Sequence, residues 1–99
     1  MKTAVYPGTF DPITYGHIDV IKKSLNIFDK LIIATSDNND KDYYFSVDQR
    51  IDIINNSLFN DLKFSKKKIK VISFNNLTIE LCKKYKASAI IRGLRAVSD

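Results

Sequence analysis

His17 is the chain's single histidine, and it follows Gly16 where a helical apolar pattern begins. An imidazole there can donate a hydrogen bond to a phosphate oxygen, beside free N–H groups and a positive dipole end that attract anions. The stretch leading to it is Tyr6-Pro7-Gly8-Thr9-Phe10-Asp11-Pro12-Ile13-Thr14-Tyr15-Gly16-His17. Thr9 adds a hydroxyl and a backbone N–H, and Gly8 and Gly16 let backbone approach a ligand where a Cβ would collide. Late in the chain Arg92 and Arg95 flank Gly93, and guanidinium groups grip phosphate bidentately. What this set can do is bind anions and neutralise charge. No Ser-His-Asp or paired-carboxylate constellation accompanies it, and Cys82, the only cysteine, excludes a disulfide framework or a thiolate metal cluster. Residue type alone also allows plainer readings: His17 as a capping or core-edge residue, the arginines as surface groups, Cys82 as packing.

The elements that must position these residues follow from hydrophobic spacing. Thr3 to Tyr6 reads as a short buried strand closed by Pro7-Gly8. Ile18, Ile21, Leu25 and Phe28 recur at helical spacing from Gly16 to Phe28, with Thr14 as a candidate N-cap. Leu31 to Thr35 is a continuous apolar run, as expected for a strand covered on both faces. Ser36 to Lys41 is a polar loop. Ser46 and Gln49 form a capping-box pattern opening a second helix, with Ile51, Ile54, Leu58 and Phe59 inward. Ile69 to Phe74 is a strand, Leu77 to Tyr85 a helix with Ile79, Cys82 and Tyr85 on one side, and Ala87 to Ile91 a last strand. This alternation predicts an α/β domain, a Rossmann-like parallel sheet with helices on both faces. Ligands of such sheets bind beyond the carboxyl ends of the strands. Three segments fall there: Pro7 to His17, Ser36 to Tyr44, and Arg92 to Arg95.

A chain of 99 residues allows one domain, residues 1–99. Its 44% hydrophobic and 27% charged composition is that of a globular protein rather than a disordered one. No apolar run reaches the roughly 20 residues of a membrane span, and no signal-peptide pattern follows Met1-Lys2, so the expected location is cytoplasmic. The net charge of +5 is carried mostly by lysine, densest at Lys66, Lys67, Lys68 and Lys70. No aromatic residues interleave with them to stack on bases, so a solvated loop is favoured over nucleic-acid binding. Arg50 is read as a partner in a structural salt bridge, and Asp11 as a turn cap or a holder of nearby backbone.

Thr14-Tyr15-Gly16-His17 resembles the His/Thr-x-Gly-His motif of the nucleotidyltransferases, and the longer run from Tyr6 to Asp19 resembles phosphopantetheine adenylyltransferases in particular. Ile91-Arg92-Gly93-Leu94-Arg95-Ala96-Val97 is similar to a second run of that family, in the right order. The resemblance covers the whole chain and implies a nucleotidyltransferase-type fold. The reaction it implies is ATP plus 4′-phosphopantetheine giving dephospho-coenzyme A and pyrophosphate, with Mg2+ carried on ATP and no metal held by the protein. It implies His17 as the catalytic residue; Thr9, Lys41, Thr78 and Arg92 as substrate-binding; and Thr9, Phe10, His17, Gly93 and Arg95 as ATP-binding. Lys41, otherwise a solvated loop lysine, gains that role from its spacing before Tyr44-Phe45-Ser46, and Leu77 and Thr78 fall in the family's pantetheine-contact region.

Family members are longer and carry a serine-rich nucleotide-binding segment that has no counterpart before Asp99. The chain is therefore expected to be truncated, weakly active or inactive alone, while retaining some phosphate-ligand binding. The family's hexamer is expected of the full-length form and left open for this one. Alternatives are a nicotinate-mononucleotide adenylyltransferase, a glycerol-phosphate cytidylyltransferase, or a non-catalytic phosphate-binding module.

Overall fold

The computed structural model describes residues 2–37, 42–75 and 78–92, leaving aside the side chains of Thr78 and Ile79. Its strands are β1 (Thr3–Gly8), β2 (Lys30–Ser36), β3 (Ile69–Phe74) and β4 (Ala89–Ile90). Between them run the helices α1 (Tyr15–Leu25), α2 (Val47–Asn55) and α3 (Thr78–Tyr85). Every neighbouring pair is parallel, in the order β3-β2-β1-β4, which is the Rossmann-like arrangement that the alternation predicts.

The period of two in the strands divides the core. Ala4, Tyr6, Leu31, Ile33 and Ile69 pack with Ile18 and Ile21 of α1 and Ile54 of α2. Val5, Ile32 and Ala34 instead pack with Leu81 of α3. Helices thus cover both faces, and β2 reads as an unbroken apolar run because neither of its faces meets water.

The main departures lie at element ends and on helix faces. β1 runs on through Pro7 and Gly8, which pair with Ala34 and Thr35. Val5 accepts a 2.7 Å bond from the Ile91 N–H, and strand alternation turns the Pro7 nitrogen to that same side, past the end of β4. Its missing N–H therefore breaks no ladder bond. α1 stops at Leu25 rather than Phe28, although Phe28 still packs on the core.

The Ser46–Gln49 capping box is formed, with bonds of 3.2 and 3.0 Å. The inner stripe of α2 and the π-helical segment Asn56–Asp61 is Arg50, Ile54 and Leu58; Ile51 is only half-buried. On α3 the buried residue is Leu81, with Cys82 and Tyr85 partly covered, and the Ile79 side chain lies outside the described residues. Lys66, Lys67, Lys68 and Lys70 are exposed around the start of β3. No helix among the described residues is long and apolar enough to cross a membrane.

Candidate active site

Because the strands are parallel, Thr9 leaves β1, Asp37 leaves β2 and Arg92 leaves β4 at one end of the sheet. The pairing of Val5 with Ile90 sets the start of the Arg92 segment level with the last residues of β1. His17 returns to this rim through α1, which begins directly after the Thr9–Thr14 loop.

Thr14 is the N-cap of α1, and its Oγ1 accepts the His17 N–H at 3.3 Å. In return, His17 Nδ1 accepts the Thr14 main-chain N–H at 2.9 Å. This is a capping box in which an imidazole takes the place usually held by Glu or Gln. An Nδ1 that accepts an N–H has its lone pair in use, so in the neutral ring the proton sits on Nε2, the nitrogen that can donate. The ring is also tilted against Phe10, with centroids 4.8 Å apart, and lies edge-on to Tyr6 at 6.3 Å. Burial pushes the Tyr6 phenol above its ordinary value, so this neighbour of the imidazole stays neutral. The first turn of α1 contains no acidic residue, so no carboxylate of that turn offsets the positive end of the helix.

The two glycines differ in what surrounds them. A Cβ on Gly8 would come within 3.0 Å of the Phe10 ring, so Gly8 makes room for Phe10 and not for a ligand. Phe10 is buried and has a φ of 48°, a left-handed conformation unusual for a bulky residue. At 1% exposure Phe10 offers almost no surface to a ligand, which does not fit the ATP-binding role that the resemblance implies for it. At Gly16 a Cβ would meet only Thr14 Oγ1, at 3.5 Å; that position stays open to a ligand.

Two charged residues tie the Thr9 loop to the chain beyond β2. Asp11, whose peptide bond to Pro12 is cis, accepts the N–H groups of Tyr44 at 2.6 Å and Phe45 at 2.9 Å. This is the backbone-holding role that the sequence suggests. Arg50 differs from expectation. It is fully buried, and its acceptors among the described residues are neutral oxygens rather than a carboxylate. Nη1 donates to Thr9 O (3.0 Å), Thr35 Oγ1 (2.9 Å) and Ser36 O (2.7 Å), and Nε donates to Phe45 O (3.1 Å). The signal for this role is its place four residues before Ile54 and eight before Leu58, on the inward stripe.

Thr9 is exposed at the end of β1, His17 is half-buried, and Arg92 is exposed past β4. Lys41, Gly93 and Arg95 lie outside the described residues, as does the side chain of Thr78. The described residues include no cluster of three His, Cys, Asp or Glu that could hold a metal ion.

The model of a family described as cytidylyltransferase-like matches residues 5–99. The phosphopantetheine adenylyltransferase of Pelagibacter ubique is 65% identical over 98 residues, covering 99% of this chain and 60% of that protein. The enzyme of the same name from Clostridium botulinum strain Alaska E43 is 48% identical, covering 100% of this chain and 59% of its own length. The chain thus spans about 60% of the length of these curated relatives. Among solved structures, a bifunctional NMN adenylyltransferase/ADP ribose pyrophosphatase from Francisella tularensis superposes with a TM-score of 0.78 at 21% identity, covering 98% of this chain and 33% of that one. A lipopolysaccharide core biosynthesis protein from Thermoplasma volcanium gives a TM-score of 0.69 at 21% identity, covering 91% of this chain and 72% of that one. At such identities these two bear on the fold alone.

Proposed function

Because the chain belongs to the cytidylyltransferase-like family, we propose that it serves an adenylyltransferase that joins AMP from ATP to 4′-phosphopantetheine. The products are dephospho-coenzyme A and pyrophosphate, a step of coenzyme A biosynthesis. The observation that carries this reading is the Thr14–His17 pairing: it directs the imidazole's donor nitrogen away from its own helix cap, at a helix start free of acidic residues. The names of the relatives support the same substrates.

The nucleophile is an oxygen of the phosphopantetheine phosphate, attacking the α-phosphorus of ATP in line. One P–O bond forms, the bond to the β-phosphate bridge breaks, and pyrophosphate leaves. A phosphate monoester has its second pKa at about 6 and is largely dianionic at neutral pH, so no general base is needed. The reaction needs alignment and charge neutralisation while two anions meet. His17 supplies a preorganised donor at the reacting phosphate, the helix N–H groups and Thr9 supply others, and Lys41, Arg92 and Arg95 supply positive charge.

Mg2+ is proposed to arrive on the triphosphate as part of the substrate. Asp11, the carboxylate in the Thr9 loop, already accepts two main-chain N–H groups, and the other described rim ligands are neutral or basic. A cytoplasmic location and, for the full-length protein, a hexamer belong to the same reading.

Pyrophosphate release in the presence of ATP and each acceptor tests the assignment. Phosphopantetheine is expected to support release in a longer protein carrying residues 1–99, with weak release or none from the 99-residue chain. Release supported instead by nicotinate mononucleotide, or CTP use with glycerol phosphate, would assign a different acceptor. Equal turnover by the short and longer forms would overturn the expectation that residues 1–99 alone release little or no pyrophosphate.

A further inference from the structure

A buried guanidinium without a carboxylate is costly, because neutral oxygens compensate a desolvated charge only in part. Arg50 accepts that cost, and its Nη2 is buried with no hydrogen-bond partner among the described residues. An apolar side chain would continue the Ile54–Leu58 stripe without stranding a donor. What an aliphatic group could not do is reach three chain segments at once, which the planar fork of a guanidinium does.

Those three segments are the ones around which the rim is built. The Thr9 carbonyl, at the end of β1, takes both Arg50 Nη1 and the Thr35 hydroxyl, the latter at 2.8 Å. The Ser36 and Phe45 carbonyls lie on either side of the chain that includes Lys41, and Arg50 bonds both. The Tyr43 ring covers the guanidinium, 4.0 Å from its carbon. Phe45 is held on both sides of its residue, with its N–H on Asp11 and its carbonyl on Arg50.

We propose that Arg50 is a positioning residue that ties Ser36 and Phe45 to the Thr9 carbonyl and so holds the Thr9 main chain in its place at the rim. This deepens the proposed function and rests on its reading of the rim as a phosphate site. Arg50 touches no ligand in this scheme; it acts through Thr9 and the loop.

The test uses Arg50→Lys, which keeps the charge and loses the fork, and Arg50→Gln, which keeps a donor and loses the charge. Amide hydrogen exchange is followed at Phe45 and, as a core reference, at Ile33 of β2. Binding of 4′-phosphopantetheine is measured by calorimetry. In Arg50→Lys, Phe45 exchange is expected to accelerate at least tenfold relative to Ile33, and the dissociation constant to rise at least tenfold. An unchanged exchange ratio overturns the proposal. So does parallel acceleration at both amides, or loss of the native spectrum in both variants, since Arg50 would then be a general stabiliser. A loosened loop with unchanged affinity also overturns it. Absence of binding by the unsubstituted protein would refute the phosphate reading instead, and the exchange ratio alone would then decide whether Arg50 braces the loop.

Discussion

The Thr14 main-chain N–H lies 2.9 Å from Nδ1 of His17, while Thr14 Oγ1 accepts the His17 N–H. One side chain therefore caps a helix through Nδ1 and, in the neutral ring, carries its proton on Nε2. The plainer reading of His17 as a capping residue and the chemical reading describe two ends of the same ring.

These two jobs separate by substitution. His17→Gln preserves a capping box, since a Gln oxygen can accept the N-cap N–H, but it loses the ring donor. Turnover in a longer protein carrying this segment is expected to fall by about 2.7–4 kcal/mol of transition-state stabilisation, the range for one preorganised donor. The melting temperature of His17→Gln should stay near that of the unsubstituted protein. Near-normal turnover in this variant would refute the catalytic role.

Thr14→Ala removes the cap oxygen of α1, a loss of about 1 kcal/mol. Chemical denaturation should detect it as an earlier midpoint with an unchanged slope. Thr14→Ser should recover most of the loss.

The glycines are expected to respond in opposite ways. Gly8→Ala drives a methyl into the Phe10 ring, and overpacking of this kind costs about 1–3 kcal/mol. Gly16→Ala meets no such obstacle and replaces a poor helix former, which favours stability by up to about 1 kcal/mol. If phosphate groups pack against Gly16, the same variant should bind ATP more weakly. Thermal melts and ATP titration on both variants check the contrast.

Thr35 is fully buried, donating to Thr9 O and accepting from Arg50 Nη1. Thr35→Val keeps the shape and deletes the hydroxyl, leaving both partners one bond short. A destabilisation of about 1–3 kcal/mol is expected, and Thr35→Ser should restore most of it. A double-mutant cycle with Arg50→Gln should be non-additive, because the two share partners.

Local signals carried most of the fold. β3 has the limits its apolar spacing predicts, and the Ser46–Gln49 box is legible because both residues are of the usual types. The box at α1 was only half legible: Thr14 is a standard N-cap, but a histidine three residues later does not announce its reciprocal bond. Arg50 was hidden for a related reason. A charged residue on a helix reads as a salt-bridge partner, and Ile51 stands in the predicted stripe instead; the acceptors that hold the guanidinium come from Thr9, Thr35, Ser36 and Phe45, all outside the helix. Gly8 misled because close approach of a ligand and close approach of the Phe10 ring leave the same mark in a sequence. The convergence of the β1 and β4 ends followed from parallel pairing alone.

β1 lies between β2 and β4, and Ala4, Val5 and Tyr6 are almost fully enclosed. The loop that leads to the imidazole is thus moored to the middle of the sheet, on a strand paired with β2 along its length and with β4 at Ala4 and Val5. Changes along the outer margin, at β3 or among the surface lysines that precede it, can alter how the molecule meets solvent while the reference frame of the site stays put.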